Sequence, residues 1–488
     1  MRRTLLTVSL ATVLLLPGVA VATTYAPGSP VIVSGVLSPL SACAPVGPGT
    51  NYPNTEVEPY LAVNPTKPSN VVGSWQQDRY SGGAAKGSGV GVSLDGGATF
   101  TDSVIPGLTT CTGGTTFQRA SDPWLSFSPN GTLYAMSLVE TKLPNGLNNP
   151  SGMAVSRSLD GGFTWGNPTV IINDSDPTKF NDKNSLTADP TNSDYAYAIW
   201  DRLDAPIGKG SLKSGENAAG YRGPTWFTRT TDGGATWEPA REIFAPGNND
   251  QTIGNQIVVL PDGTLIDVFD LIRNDNKGHV KGTNVAILRS TDQGATWSAS
   301  PTIISSLGFV QVADPDTGAL VRTGDILPEA AVDPVTGAIY VVWQDGRFSG
   351  GARSDVTFSM STDGGSNWSA PARINTPMNV SAFTPSIAVA SDGTVGVSYY
   401  DFRNNTAVVG LPTDVWFTHC HVGCTSPANW SEMHAYGPFD MEGAPVARGY
   451  FLGDYEGMAA VGTAFDLLFS AAGATPNSAD VVFLKMSV

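Results

Sequence analysis

The strongest constraint on the fold is a short motif that recurs five times along the chain. It follows the pattern Ser/Thr-x-Asp-x-Gly-x-x-aromatic, and its aspartates are Asp95, Asp160, Asp232, Asp292 and Asp363. Successive aspartates are separated by 65, 72, 60 and 71 residues. Recurrence at such a period is typical of repeat architectures, in which each repeat is one supersecondary unit. The chain is therefore predicted to be a series of similar units.

The chemistry of the motif favours a structural role. Its aspartate can accept hydrogen bonds from the backbone of a tight turn, and its glycines permit positive φ there. The terminal aromatic residue, Trp297 in the fourth copy, can pack between neighbouring sheets. We interpret the five aspartates as turn formers rather than catalytic residues, because Asp-Gly pairs commonly form turns.

Four short strands are predicted in the unit that holds the fifth motif. They cover residues 328–334, 338–343 and 356–360, and a fourth begins at 372–374. The abundance of glycine (55) and proline (35) agrees with many turns and little helix. Four short strands per repeat are typical of a propeller blade.

The same strand order identifies the other units. They begin near Glu58, Asp122, Lys183, Gly254, Thr384 and Asp454. The last unit shows three strands, so we expect residues 31–34 to supply the fourth, closing the ring and covering a bare sheet edge. The prediction is an all-β propeller of four-stranded blades, with seven blades favoured and six as the alternative.

The N-terminus resembles a secretory signal. Arg2 and Arg3 precede an apolar stretch at 5–16, which is too short to span a bilayer, and a small-x-small site ends at Ala22. A membrane anchor and twin-arginine export are the alternatives. We predict a signal peptide at 1–22, an N-terminal segment at 23–57 and one propeller domain at 58–488, which makes the protein secreted.

The four cysteines of the exported chain suggest two disulfides. Cys420 and Cys424 form the natural local pair, which leaves Cys43 with Cys111. The alternative is a metal site around His419-Cys420-His421, but it lacks the second spaced ligand pair of a structural zinc site.

Strand alternation predicts which face carries chemistry. The 4→1 and 2→3 loops share one face, opposite the motif turns. An aspartate close to an arginine recurs on that face at the ends of the second strands, and the arginines are Arg79, Arg202, Arg273, Arg347 and Arg403. Arginines on one face of a ring can converge and bind a carboxylate in bidentate fashion. The alternative is that each forms a structural ion pair with its neighbouring aspartate.

Acidic residues lie at the starts of the first strands on the same face. They are Glu58, Asp122, Glu329, Asp454 and Glu456. Carboxylates buried near a ring axis tend to have raised pKa values. Tyr455 stands between two of these acids, and a tyrosine can be the nucleophile of a glycosidase. The alternative is that Tyr455 is a core aromatic residue and Glu456 pairs with an arginine.

The five motifs are Asp boxes, and the mature chain resembles the sialidase superfamily of bacterial-neuraminidase-repeat proteins. The resemblance implies a β-propeller. In sialidases it implies three arginines for the substrate carboxylate, an aspartate acid/base, and a tyrosine activated by a glutamate. The Arg-Ile-Pro motif of sialidases is absent, the nearest position holds Glu58-Pro59, and sialidases have six blades.

On this resemblance we predict a sialidase-like exo-glycosidase that hydrolyses terminal acidic sugars. The sugar would be bound by Arg347, Arg403 and either Arg79 or Arg202, with Glu329 and Asp454 also at the substrate; Asp122 or Glu58 would be the acid/base, and Tyr455 with Glu456 the nucleophile pair. The alternatives are a non-catalytic propeller that binds glycan or protein at the cell surface, and a lyase or hydrolase acting on another polysaccharide.

The predicted partner is a glycan or glycoconjugate, and the predicted state is a monomer. A net charge of −16 gives no electrostatic basis for binding nucleic acid or anionic membrane. No cofactor is required. Ca²⁺ at the acidic loops 174–176 and 314–316 is an alternative to simple Asp-containing turns.

Overall fold

The computed structural model describes residues 24–145, 148–205, 221–274, 280–376, 378–406 and 409–488. The predicted signal peptide at 1–22 lies outside these residues. Within the described ranges, helical structure is confined to short 3-10 turns at Thr110–Thr112, Arg347–Ser349, Pro427–Asn429 and Met441–Gly443. The predicted all-β class is confirmed.

The strands form four-stranded antiparallel units in chain order. Two short strands come first: β1 (Ala26–Pro27) and β2 (Val31–Ile32). The first unit contains β3 (Glu56–Val63), β4 (Val71–Arg79), β5 (Ala85–Ser93) and β6 (Thr101–Val104). The second contains β7 (Arg119–Phe127), β8 (Leu133–Lys142), β9 (Asn148–Ser158) and β10 (Thr169–Asp174). A single pair, Ala85 with Ala120, joins these two units into one sheet.

The next two units are separate sheets. The third contains β11 (Lys179–Ala188), β12 (Ala196–Asp204), β13 (Thr225–Thr230) and β14 (Arg241–Phe244). The fourth contains β15 (Gln251–Val259), β16 (Leu265–Asn274), β17 (Val280–Ser290) and β18 (Thr302–Leu307). Two short strands follow before the fifth unit: β19 (Val312–Ala313) and β20 (Leu320–Arg322).

The later part of the chain repeats the arrangement. The fifth unit contains β21 (Glu329–Val332), β22 (Ile339–Asp345), β23 (Asp355–Ser361) and β24 (Ala372–Arg373). The sixth contains β25 (Ala382–Val389), β26 (Val395–Asp401), β27 (Pro412–Cys420) and β28 (Ser431–Asp440). After β29 (Tyr450–Phe451), the last unit contains β30 (Gly457–Val461), β31 (Ala464–Ala472) and β32 (Ala479–Ser487).

The two ends of the described chain meet in the last unit. Both β1 and β2 pair with β32 in antiparallel fashion, and Val31 lies opposite Phe483. This is the segment from which the sequence predicts the missing strand. The first strands also contact one another in chain order, from β3 through β7, β11, β15, β21 and β25 to β30, and β30 contacts β3. The blade number and the closing of a ring stay predictions.

A second connection crosses between units. Strand β20, which precedes the fifth unit, pairs in parallel with β29, which precedes the last one. Together with β19 they form a three-stranded sheet, here called the crossing sheet. It places Arg322 of β20 opposite Phe451 of β29.

The core lies between the units and is built from repeated aromatic positions. Trp75, Trp200 and Trp343 occur in second strands and are fully buried. Each indole N–H is satisfied nearby; that of Trp200, for example, donates to Asn181 Oδ1 at 2.9 Å. The aromatic residues of the Asp boxes pack across units, as Trp297 does against Phe227 at 5.4 Å between ring centroids.

Each Asp box closes its own turn. In the second box, Asp160 Oδ1 accepts from the backbone N–H of Thr164 at 2.9 Å, and Oδ2 accepts from the Thr164 hydroxyl at 2.6 Å. The other four boxes repeat these two bonds, with Asn367 replacing threonine in the last. The carboxylates are therefore engaged in local structure on an exposed turn.

Both predicted disulfides are confirmed. Cys43 bonds with Cys111, and Cys420 bonds with Cys424. The second disulfide lies at the 3→4 turn of the sixth unit, where an Asp box would otherwise stand. The first ties the N-terminal segment to the loop between the first two units.

Candidate functional site

Five first strands share an irregularity at the same step. Their pairing register shifts between Val57 and Tyr60, and at the matching places in β7, β11, β15 and β25. The residues at these bulges are Glu58, Asp122, Lys183, Gly254 and Thr384, with φ of 53°, 48°, 46°, 69° and 48°. A bulge re-aims a side chain, and positive φ is uncommon outside glycine. Such local strain tends to be kept where function uses it.

The bulges bring charged side chains together around one ammonium group. Lys183 Nζ lies 2.7 Å from Asp454 Oδ2, 3.6 Å from Asp122 Oδ2 and 3.8 Å from Glu58 Oε1. All four side chains are buried. Three carboxylates from three different first-strand starts therefore share one lysine. We call these four residues, together with Arg79 and Arg322, the bulge cluster.

Two arginines complete the bulge cluster. Arg322 donates from Nε to Asp454 Oδ1 at 3.0 Å and from Nη2 to Oδ2. Its guanidinium carbon lies 4.3 Å from the Phe451 ring centroid, and that of Arg79 lies 4.9 Å from the same ring. Arg79 also donates to Gln76 Oε1 at 2.5 Å, and Gln76 in turn donates to Glu58. The two arginines thus extend the network to both sides of Phe451.

The environment displaces the pKa values of these acids in opposite directions. Burial, reinforced by the charge of Asp122, raises the pKa of Glu58 well above its ordinary value, although Lys183 opposes the effect. Burial also acts to raise the pKa of Asp454, but Arg322 and Lys183 outweigh it and hold that pKa well below the ordinary value. Acids whose pKa values are displaced in opposite directions are typical of acid–base sites.

A cavity lies beside the bulge cluster. Its lining includes Trp124, Lys183, Gln256, Glu329 and Tyr455. Glu329 is buried, and Gln256 Nε2 donates to its Oε2 at 3.2 Å. Burial raises the pKa of Glu329 to about 8, so its carboxyl group holds a proton at neutral pH. The cavity thus combines a protonated acid with an aromatic wall.

Tyr455 and Glu456 face different partners. The Tyr455 hydroxyl donates to the Pro123 carbonyl at 3.3 Å. Burial, followed by the charge of Glu58, raises the pKa of this phenol well above its ordinary value. Glu456 accepts from the Tyr400 hydroxyl at 2.5 Å. The two side chains have separate partners, so this arrangement differs from the predicted nucleophile pair.

Three of the four predicted substrate-binding arginines are engaged away from the bulge cluster. Arg202 pairs with Asp174 at 2.7 Å and stacks on Trp226. Arg347 pairs with Asp345 at 2.7 Å and donates to Ser305 at 3.0 Å. Arg403 pairs with Glu432 at 2.5 Å and stacks on Trp416.

Pairing with the neighbouring aspartate, the alternative considered from the sequence, is seen for Arg347 with Asp345 and for Arg403, which also pairs with Asp401 at 2.7 Å. Arg202 pairs instead with Asp174 of the preceding unit. Arg79 is the one predicted arginine that reaches the bulge cluster. Asp122, Glu58, Glu329, Asp454 and Tyr455, predicted from the sequence, do come together there or at the adjoining cavity.

Sequence reasoning missed Lys183 and Arg322 as site residues. Lys183 begins its unit at the position that Glu58 and Asp122 occupy in theirs, so comparing the unit starts would have found it. Arg322 lies in the segment inserted before β21, which carries no repeat signal. Only the parallel pairing of β20 with β29 brings it to Asp454.

The acidic loops considered for Ca²⁺ use their carboxylates locally. Asp174 pairs with Arg202, and Asp176 Oδ1 accepts from the Thr178 hydroxyl at 2.7 Å. Across the described ranges, no three or more His, Cys, Asp or Glu side chains are grouped to hold a metal ion. Nor does the described part of the chain contain a helix that is long and apolar enough to span a membrane.

The sequence matches no family model, and no curated protein matches it. Solved structures similar to this chain include sialidases, an α-L-arabinanase and α-L-arabinofuranosidases. The α-L-arabinanase of Penicillium chrysogenum is 16% identical over 77% of this chain and 94% of its own, with a TM-score of 0.49. A protein of unknown function from Dyadobacter fermentans is 15% identical over 76% and 94%, with a TM-score of 0.48.

A Hadza microbial sialidase is 16% identical, with a TM-score of 0.43. The similarity covers 71% of this chain and 63% of the sialidase, which is less than two thirds of its length. The named activities are those of the similar proteins. The function of this chain has to be argued from its own side chains.

Proposed function

We propose that the protein is a secreted glycoside hydrolase whose active site is the bulge cluster with its adjoining cavity. The observation that carries this proposal is a buried acid with a raised pKa, Glu329, in the wall of a cavity. The Lys183 ammonium group of the same cavity is shared by three further carboxylates, those of Glu58, Asp122 and Asp454. Glycoside hydrolysis needs one carboxyl that donates a proton and a second that acts as a carboxylate.

The roles follow from position. Glu329 lines the cavity and is protonated at neutral pH, so it is assigned as the donor of a proton to the leaving oxygen. Asp122 is assigned as the second carboxylate. It lies 3.6 Å from the Lys183 ammonium group, and the carbonyl of the next residue, Pro123, accepts a hydrogen bond from Tyr455. Trp124 supplies an apolar wall against which a sugar ring can stack. Glu58, held by Gln76, is the alternative proton donor.

The scaffold of the proposed site is a seven-bladed propeller. Six four-stranded groups and a last three-stranded group joined by β1 and β2 support this count. The return of contacts from β30 to β3 and the pairing of β2 with β32 support closure by the N-terminal strand. In this arrangement the bulges lie around the axis. The Asp boxes then lie on the opposite face.

A sialidase mechanism is the narrower form of the proposal, with terminal acidic sugars as substrates and Tyr455 as nucleophile. It requires the Tyr455 phenol to lose its proton during attack. Burial and the nearby acids raise the pKa of that phenol, which opposes this step. In addition, Arg202, Arg347 and Arg403 are bound to other side chains. Of the four arginines predicted to bind the substrate carboxylate, only Arg79 lies at the proposed site.

A non-catalytic glycan-binding propeller is the second candidate. The observation that favours it is the mutual pairing of buried cations and anions within the bulge cluster. Such a network can hold the units together without any chemistry.

The test uses the purified mature protein and a panel of chromogenic glycosides, including an α-sialoside and an α-L-arabinofuranoside. We expect turnover of at least one member, and a fall in kcat of about 100-fold or more in Glu329→Gln. Asp466→Asn is the matched control, because Asp466 in β31 is a buried carboxyl that pairs with Lys485 in β32. It should keep its activity.

Folded wild-type protein that turns over no glycoside but binds glycans on an array would favour the second candidate. Equal loss of activity in the two variants would contradict the assignment of Glu329.

A further inference from the structure

Asp454 occupies the place in which a cationic site would hold an anionic ligand. Its Oδ1 accepts from Arg322 Nε, and its Oδ2 accepts from Lys183 Nζ and Arg322 Nη2. Bidentate pairing with an arginine is the usual way in which proteins recognise a free carboxylate. Here the ligand is a side chain of the protein itself.

The backbone around Asp454 is held in place. A Cβ atom on Gly324 would lie 1.7 Å from the Asp454 carbonyl oxygen, so that segment packs directly against it. The backbone N–H of Glu58 donates to the Leu452 carbonyl at 3.0 Å. Pairing of β20 with β29 fixes Arg322 on the other side. These contacts fix the backbone that carries the Asp454 carboxylate beside Arg322.

The other charges of the bulge cluster are matched as well. Lys183 has Asp122 and Glu58 within 4 Å in addition to Asp454. Arg79 is linked to Glu58 through Gln76. An acidic sugar entering the cavity would meet Lys183, the member of the bulge cluster that lines it. This ammonium group already has three carboxylates within 4 Å. The sugar would have to displace a buried ion pair in order to gain one of its own.

We propose that Asp454 is the specificity-determining residue of this site: it acts as a built-in carboxylate that excludes acidic sugars, so that the substrate is a neutral glycoside. The inference rests on the proposed glycoside hydrolase function. It differs from the acidic-sugar specificity that the sequence resemblance implies.

The first test asks whether the cations bind a carboxylate once Asp454 is shortened. Asp454→Ala is expected to melt at a lower temperature than wild type, and sodium acetate should raise its melting temperature more than sodium chloride at equal ionic strength. Wild type should respond equally to the two salts. Asp466→Ala is the control for loss of a buried carboxyl, and acetate should have no specific effect on it. Equal responses to both salts in folded Asp454→Ala would overturn the proposal.

The second test needs no variant. Binding of sialic acid and of its methyl ester to wild type is compared by calorimetry, and hydrolysis of an α-sialoside is compared with that of neutral glycosides. The free acid should bind no more tightly than the ester, and kcat/KM for the α-sialoside should be at least about 100-fold below that of the best neutral substrate. Preference for the free acid, or efficient α-sialoside turnover, would overturn the proposal even if Asp454→Ala fails to fold.

The two tests separate the inference from the function on which it rests. If no glycoside is hydrolysed but acetate stabilises Asp454→Ala specifically, the hydrolase proposal fails while the built-in carboxylate stands. If an α-sialoside is the best substrate, the hydrolase proposal stands and the inference fails.

Discussion

The Asp-box turns and the first-strand bulges are both repeated along the chain and both carry acidic residues, yet they differ in what is repeated. The boxes keep the same side chain in every copy, and hydrogen bonds from the turn lower the pKa of four of the aspartates to about 2. The bulges keep the same backbone and vary the side chain, from Glu58 and Asp122 to Lys183 and Thr384. A repeated residue indicates a structural requirement, whereas a repeated backbone with varied residues leaves room for a site.

Among the substitutions that test this comparison, removal of the Lys183 ammonium group should have the largest effect on stability and activity. Lys183→Met leaves buried carboxylates uncompensated, so we expect it to lower the free energy of unfolding by about 3–5 kcal/mol and to abolish activity. Chemical denaturation measures the first effect. The matched control is Arg222→Met, since Arg222 and its partner Glu242 are both partly exposed, and it should lose about 1 kcal/mol or less. Equal losses in the two variants would mean that the bulge cluster is no more coupled than a peripheral pair.

Strain at the bulges can be relieved at one position. Thr384 is β-branched and holds φ of 48°, which is unfavourable for such a residue. Thr384→Gly is therefore expected to raise the free energy of unfolding by about 1 kcal/mol. Thr394→Gly, in the β25–β26 turn of the same unit, should lower it instead, because glycine there adds flexibility without relieving strain. A destabilised Thr384→Gly protein would show that the bulge backbone is not strained.

Breaking a single box should have the smallest effect. Asp160→Ala removes the two bonds to Thr164 on an exposed turn, and we expect a loss of about 0.5–1 kcal/mol with unchanged kcat. Asp160→Asn keeps one acceptor oxygen and should lose less. A fall in kcat in either variant would contradict the structural role assigned to the boxes.

The sequence predicted the fold better than the site, for a physical reason. Strands and turns depend on local patterns, so the five Asp boxes and the strand order around Trp343 indicated the four-stranded units. The pairing of Cys43 with Cys111 could also be predicted, because cysteines tend to form disulfides in a chain that is predicted to be exported. The resemblance indicated a glycosidase site but implied arginine partners that the structure places elsewhere.

The parts that could not be predicted depend on contacts between distant segments. Arg202, Arg347 and Arg403 lie at or just after second-strand ends that look alike in sequence. Each is bound by a carboxylate and contacts an aromatic ring of its surroundings. Arg322 reaches Asp454 across 132 residues of chain through the crossing sheet. No local pattern contains that information.

The most direct test of the central claim is the dependence of kcat/KM on pH for wild type and Glu329→Gln. Burial raises the pKa of Glu329 from 4.5 to about 8, so the proton that it donates is present below that pH and lost above it. Wild-type activity on its best glycoside should therefore fall as pH rises through about 8, and the residual activity of Glu329→Gln should lack this alkaline limb. An alkaline limb that persists unchanged in Glu329→Gln, with activity near that of wild type, would show that the proton comes from another group.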